Sequence, residues 1–300
     1  MRTLTFTVPP AWDGRPLREF VRRGLGLSAR VLTQQKQLPD GILRNGAPCH
    51  ADQRLAAGEE ITFLLPEEPV QGPAVPTALS ILWETEDFLA VDKPAGMPVH
   101  PSPGHDTDSL LNAVAYHYET TGQGVAFRPL YRLDKDTSGV LVLAKHRIAA
   151  GAALGKTYYA LCQGELPGAG TIDLPIGLEP GSRIRRRAGE GQRAVTHWRA
   201  LEVREGVTLL ALTLDTGRTH QIRVHLSALG HPLVGDDLYG GSRERLGRQA
   251  LHCGAVTVDL PLLGVHRALT APFPDDLRGA FSWLPPLEQT HEEGPLCLPV

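Results

Sequence analysis

The stretch Arg132-Leu133-Asp134-Lys135-Asp136-Thr137-Ser138-Gly139 runs directly into Val140-Leu141-Val142-Leu143-Ala144-Lys145. Asp, Thr, Ser and Gly are turn formers, and the short apolar run after them has the length and composition of a core strand. A turn that feeds a core strand sits at a sheet edge, where its side chains project into a cleft. Here that turn carries an arginine and two carboxylates. Asp136, two residues after Asp134, could pair with it chemically, but the stronger expectation is that it fixes the turn.

Working outward, ILWETEDFLAVDKP (81–94) reads as two strands joined at Glu86-Asp87, and TLLALTLDT (208–216) as another strand. SLLNAVAYHY (109–118) spaces Leu111, Val114, Ala115 and Tyr118 as a helix, with Asp108 as the expected N-cap. THQIRVHLSALG (219–230) predicts a helix with Ile222, Leu226 and Leu229 on one face and Gly230 at its stop. Strands and helices mix without regular alternation. The expected class is therefore α+β.

PEEPVQGPAVPT (66–77) has four prolines and no apolar periodicity, and reads as a linker. Before it, PLREFVRRGLGLSARVLTQQ (16–35) gives two short helices with Leu17, Phe20 and Val21 on one face. GILRNGAPCHADQRLAAGEEITFLL (41–65) gives a small β-unit with Asn45-Gly46 as a hairpin signal. The expected organisation is a small N-terminal α/β module over 1–66, a linker over 67–78, a main domain over 79–285 and a tail over 286–300.

The 300 residues are 42% hydrophobic, too apolar for a disordered chain, and no run approaches a membrane span. The N-terminal MRTLTFTVPP lacks a signal-peptide pattern, so a cytoplasmic protein is expected. Cys49, Cys162, Cys253 and Cys297 are too dispersed for a zinc site or a disulfide framework. The net charge of −3 argues at first against a nucleic-acid partner. Charge is sorted along the chain, however. Arg15 to Arg44 holds seven basic residues against Glu19 and Asp40, a net +5, while acidic residues collect at 59–68 and in the tail (Glu288, Glu292, Glu293).

Two further clusters accompany the Asp134 turn. Thr216-Gly217-Arg218-Thr219-His220-Gln221-Ile222-Arg223 opens a helix, where free N–H groups and two arginines favour an anion. Lys156-Thr157-Tyr158-Tyr159-Ala160 places a lysine beside an aromatic ring at the start of a strand. Arg183, Arg185, Arg186, Arg187 and Arg193 form a second basic run, suited to tracking phosphates. His100 and His105 are separated by a loop without a third ligand, so no metal is expected. His220 and His225 do not share a helical face and read as packing or contact residues.

In this order and spacing, RLDKDTSG (132–139), KTYYALCQG (156–164) and TGRTHQIRVHLSALGHPLVGDDLYG (216–240) resemble the successive signatures of the RluA/RluD-type RNA pseudouridine synthases. AVDKPAGMPVHPSPG (90–104) and RQALHCGAVTV (248–258) resemble further blocks of that family. The N-terminal module resembles the S4-like RNA-binding domain that many members carry.

The resemblance implies a mixed, largely antiparallel central sheet with flanking helices, and isomerisation of uridine in structured RNA, ribosomal RNA ahead of transfer RNA, without a metal or organic cofactor. It assigns Asp134 as the catalytic aspartate, Arg223 as its partner, Tyr158 as the ring that stacks on the target base, and Arg132 as the residue filling the gap left by an everted nucleotide. Arg218, Gln221, Lys156, Arg22, Arg23, Arg30 and Arg185 are the further expected RNA contacts. The pairing predicts that Arg223→Ala removes activity and leaves the chain folded. Nothing demands more than a monomer.

Two departures stand out. Tyr131 replaces the histidine usual before Arg-Leu-Asp, and only ten residues (146–155) lie between Lys145 and Lys156, where members commonly carry a longer helix. The short segment brings the support of Tyr158 into question. It motivates a second reading, an RNA-binding member without catalysis. A carboxylate-based nucleoside or glycoside hydrolase ranks third, because it leaves the arginine-rich module unexplained.

Overall fold

The computed structural model describes residues 2–287. The first sixty-odd residues build a four-stranded antiparallel sheet in the order β1-β4-β2-β3, from β1 (Arg2–Thr7), β2 (Ile42–Arg44), β3 (Ala47–Pro48) and β4 (Glu60–Leu65). Side chains of β4 alternate between buried and less buried, because only one face of this sheet is covered. The cover is α1 (Leu17–Glu19), which continues into a wider turn over Phe20–Gly24, and α2 (Ala29–Lys36). Leu17, Phe20 and Val21 are fully buried there against Ile61 and Phe63, as the sequence spacing predicts. Asn45 and Gly46 both adopt positive φ (48° and 80°), the geometry of the tight hairpin their pairing signals.

The main sheet has nine strands. β5 (Ser80–Glu84), β6 (Phe88–Lys93), β7 (Ser138–Ala144), β14 (Leu251–Leu260), β8 (Ala153–Gln163), β13 (Val207–Leu214), β12 (Val195–Arg204) and β9 (Ala169–Asp173) follow in that spatial order, and β15 (Val265–Thr270) pairs with β14. All pairs are antiparallel except β7 with β14, so the mixed, largely antiparallel α+β expectation holds. Every residue of β7 is buried, which explains its unbroken apolar run: both faces are covered. The covers include α3 (Leu110–Thr120) and α4 (Gln221–Ala228), whose Leu110, Val114, Tyr118, Ile222 and Leu226 join the strand side chains in one core. A small hairpin of β10 (Ile176–Leu178) and β11 (Arg186–Ala188) packs beside α4, and α5 (Asp275–Ala280) lies near the end.

Several local expectations change. Ser109, not Asp108, caps α3: its amide donates to Asn112 Oδ1 at 3.0 Å, while Asp108 is taken up by His105 Nδ1 at 2.7 Å. Leu229 is 43% exposed, because α4 ends at Ala228 and the residue falls past the face that Ile222 and Leu226 bury. The 66–77 segment has no strand or helix but is not detached. Its Glu68 amide donates to Gly124 O, and Asn112 Nδ2 in α3 donates to Pro73 O. Arg2 of β1 pairs with Asp87 at 2.6 Å, and Ile148 joins the core of the N-terminal sheet, so the two sheets share an interface. The acidic tail residues Glu288, Glu292 and Glu293, and Cys297, lie outside the described residues.

Candidate active site

The Asp134 turn stands at the mouth of β7 and borders a cleft of about 690 Å³. The Thr137 amide donates to Asp134 O at 3.1 Å and closes the turn. Two buried cations then hold the carbonyls that follow. Lys93, at the end of β6, donates to Pro94 O, Met97 O and Lys135 O at 2.7, 2.8 and 2.9 Å. Burial pushes its pKa down to about 7, against the charge of Asp136 and Asp134. Arg248 donates to Asp136 O at 3.1 Å while its guanidinium pairs with Asp276 at 2.6 and 3.0 Å. Asp136 therefore enters this framework through its carbonyl.

Opposite the turn, α4 presents Arg223. Its Nη1 donates to Asp134 Oδ2 at 3.3 Å, and its Nε and Nη2 hold Asp236 at 2.7 Å each. The Asp236 side chain is completely buried, whereas that of Asp134 is 27% exposed. The bidentate pair is thus Arg223–Asp236, and Asp134 receives the remaining face of the guanidinium. Burial opposes the charge on Arg223, but the hydrogen bonds and charge of Asp236, with Asp134 behind them, hold its pKa above the ordinary value. His220 Nε2 lies 4.0 Å from the same Asp134 Oδ2. Both neighbours address the same oxygen of Asp134.

Tyr158 needs no helix beneath it. It pairs in register with Leu212 of β13 on one side and Cys253 of β14 on the other, inside the sheet. The ten-residue connection is a single 3-10 turn, Ala149–Gly151, before β8 begins at Ala153. Burial raises the Tyr158 hydroxyl well above its ordinary pKa, so it stays protonated, and burial pushes the adjacent Cys253 thiol up to about 12. Tyr131, in the usual histidine position, donates to Val140 O at 2.6 Å and carries Lys156 Nζ 4.9 Å above its ring.

The structure brings Asp134, Arg132, Lys156, Tyr158 and Arg218 to one cleft, with Arg223 lining its floor extension of about 60 Å³. Gln221 is also at that floor, but its amide is engaged inward. Nε2 donates to Val195 O and Thr196 Oγ1, and Oε1 accepts from Thr216 Oγ1 and the Arg218 amide, at 2.9–3.1 Å. It ties α4 to β12. His225 is likewise internal, bonded to Thr196 Oγ1 and Leu174 O. Arg185 lies on the β10–β11 connection, paired with Glu179 at 3.0 Å. Arg22 and Arg23 line a groove of about 410 Å³ on the N-terminal unit, and Arg30 lines a cleft of about 660 Å³ beside Arg128 and Arg147. These three do not converge on Asp134. Among the described residues no group of three or more His, Cys, Asp or Glu converges to hold a metal ion.

Asp236, Lys93 and Arg248 escape residue-by-residue reading. Their only signal is their place in blocks 216–240, 90–104 and 248–258, since an acid in a glycine-flanked turn reveals no partner thirteen residues back.

A family profile described as RNA pseudouridylate synthase matches residues 87–228. An uncharacterized RNA pseudouridine synthase of Bacillus subtilis, YjbO, is 39% identical over 265 residues, covering 84% of this chain and 94% of its own. Ribosomal large subunit pseudouridine synthase D of Pseudomonas aeruginosa is 37% identical over 243 residues, covering 73% and 75%. The solved structure of human RNA pseudouridylate synthase domain containing 1 superposes with a TM-score of 0.57 at 28% identity, covering 74% of this chain and 94% of that one.

Proposed function

The chain belongs to the RNA pseudouridine synthase family and is an isomerase of uridine in RNA; we propose that its substrate is ribosomal RNA and that Asp134 acts on an everted uridine. The observation that carries the role of Asp134 is its setting: a partly exposed carboxylate, backed by a buried arginine, beside the ring of Tyr158 in one cleft. In a stacked helix the reacting atoms are shielded, so the nucleotide must turn out to reach such a carboxylate. Arg132, exposed at the rim, takes the vacated place, and Lys156 and Arg218 meet the flanking phosphates.

Arg223 fixes Oδ2 by hydrogen bond and charge, which presents Oδ1 to the nucleoside. Attack on the electron-poor anomeric carbon or addition to the base uses the same carboxylate oxygen. The bond from ribose to N1 breaks with its electron pair left on the base, the freed base turns against Tyr158, and C5 bonds to the anomeric carbon as the bond to Asp134 breaks and its carboxylate is restored. C5 then releases a proton and N1 carries one, so composition is unchanged. Tyr158 contributes a ring face for the base, and burial raises the pKa of its hydroxyl.

The large-subunit specificity stated for the Pseudomonas relative supports ribosomal RNA as the substrate, which would be met in the cytoplasm. No described helix is long and apolar enough to cross a membrane. The N-terminal unit, with exposed Arg22, Arg23 and Arg30, serves in this reading as an S4-like RNA-binding module. The test is incubation of ribosomal and transfer RNA transcripts with wild type and Asp134→Ala, followed by pseudouridine mapping. Product in ribosomal RNA from the wild type alone is expected. Product only in transfer RNA overturns the substrate assignment, and equal product from the variant overturns the role of Asp134.

A further inference from the structure

The arginine-rich hairpin and the catalytic carboxylate are joined through one side chain that the chemistry above does not use. Tyr239 closes a single 3-10 turn (Asp237–Tyr239) and is 5% exposed. Its hydroxyl accepts the main-chain N–H of Arg186 in β11 at 2.9 Å and lies 2.8 Å from Nδ1 of His220. Its ring lies 5.0 Å from the guanidinium carbon of Arg223. On the other side of the imidazole, Nε2 faces Asp134 Oδ2 at 4.0 Å. His220 itself is left-handed (φ 59°, ψ 21°), a conformation that is costly for a residue with a Cβ and persists only where the surroundings fix it.

Arg186 is the hairpin residue placed to report RNA. Its neighbours Arg185 and Arg187 are paired with Glu179 and Glu190, whereas Arg186 has no carboxylate partner among the described residues and its Nε is buried without a hydrogen bond. The half-buried Arg186 is thus the one of these three guanidiniums not already neutralised by a carboxylate, and so the one open to a phosphate oxygen.

We propose that Tyr239 is a positioning residue that couples RNA held on the β10–β11 hairpin to the setting of Asp134. A phosphate on Arg186 fixes β11, the Arg186 amide fixes the Tyr239 hydroxyl, and the hydroxyl fixes the imidazole of His220. The Asp134 carboxylate facing Nε2 favours a proton on that nitrogen, so Nδ1 is the acceptor and the hydroxyl, while accepting from Arg186, donates to it. Burial holds His220 below its ordinary pKa, with Arg223 and Arg186 acting in the same sense and Asp134 and Asp236 against it. The ring is therefore neutral near pH 7, and the hydrogen bond holds this tautomer. The proposal rests on RNA being bound at the hairpin.

Tyr239→Phe keeps the ring over Arg223 and its packing on Val224, and removes only the hydroxyl. The single-turnover rate on a ribosomal transcript is expected to fall about tenfold or more with RNA affinity within about twofold, a loss in the reacting geometry and not in binding. In a His220→Gln background the same substitution costs nothing further; additive losses overturn the coupling. A second readout needs no turnover: nitrogen NMR of histidine-labelled protein, with His220 assigned from the Gln variant and a short oligouridylate as probe. The oligouridylate shifts the His220 signals in the wild type and leaves them in place in Tyr239→Phe. Equal shifts, or none in the wild type, overturn the proposal. A wild type that shows the shift but leaves ribosomal RNA unmodified refutes the substrate assignment alone.

Discussion

Replacing Asp236 by Asn removes one charge and almost no volume from the most buried ion pair of the site. Arg223 is left with an amide that can accept at one oxygen, while its NH₂ faces a guanidinium N–H where Oδ1 or Oδ2 accepted at 2.7 Å. Among the described residues its other acceptor is Asp134 at 3.3 Å, already partly exposed. Breaking a buried pair in this way costs about 3–5 kcal/mol, because the surviving charge keeps its desolvation penalty. For a chain of this size that is a fall in Tm of roughly 10 °C. Asp134→Asn is the control: Arg223 keeps both bonds to Asp236, and loss of a longer, partly solvated contact costs about 1 kcal/mol or less. Both variants lose pseudouridine formation, but only Asp236→Asn loses stability. Thermal melts by circular dichroism, run beside single-turnover assays, measure both quantities. If Asp236→Asn melts with the wild type, or Asp134→Asn is the less stable of the two, the assigned hierarchy of the pairs is wrong. The same geometry revises the expectation for Arg223→Ala, which strands a fully buried Asp236 and so should lower the melting temperature as well as silence the chain.

Three other outcomes follow from named contacts. Lys93→Met withdraws the donors of three carbonyls, each worth about 1–3 kcal/mol when left buried and unmet, and should lower the urea midpoint by the equivalent of about 3 kcal/mol or more; an unchanged midpoint rejects its bracing role. Burial opposes the charge of Asp87, yet hydrogen bonds from His146 and Arg2 hold its carboxyl below the usual range. Its native pKa is thus lower than its unfolded one, so its stabilisation is complete above the unfolded value near 4 and is lost as pH falls through the native value. Urea titrations between about pH 5 and pH 3 should show a shallower decline for Asp87→Asn than for the wild type. Alanine at Arg22 or Arg23 should reduce the slope of log RNA affinity against log salt by about 0.7–0.9 each, leaving the rate at saturating RNA unchanged; an unaltered slope removes these residues from the RNA contact.

The features legible in the sequence were those encoded by neighbours along the chain. Val140–Ala144 could be read as a core strand because a strand covered on both faces has no polar positions to interrupt it. Asn45-Gly46 announced its hairpin because few other pairs adopt two successive positive φ values at low cost. The turn carrying Arg132 and Asp134, and the charge of +5 over 15–44 within a chain of net −3, needed only local reading.

Tertiary structure decided which polar groups meet. Gln221 at the first turn of a helix suits an RNA contact or a buried tie equally well, and only the approach of β12 turned its amide inward. The parallel pairing that sets His252 opposite Ser138 joins residues more than a hundred apart. The bond between Arg223 and Asp236 depends on the chain folding back after α4, and the link from Arg186 through Tyr239 to His220 on where the hairpin packs. Periodicity and turn chemistry are set by backbone sterics over a few residues, so the sequence carries them openly. Partner choice among buried charges is set by desolvation in the assembled interior, and that interior exists only once distant segments have packed.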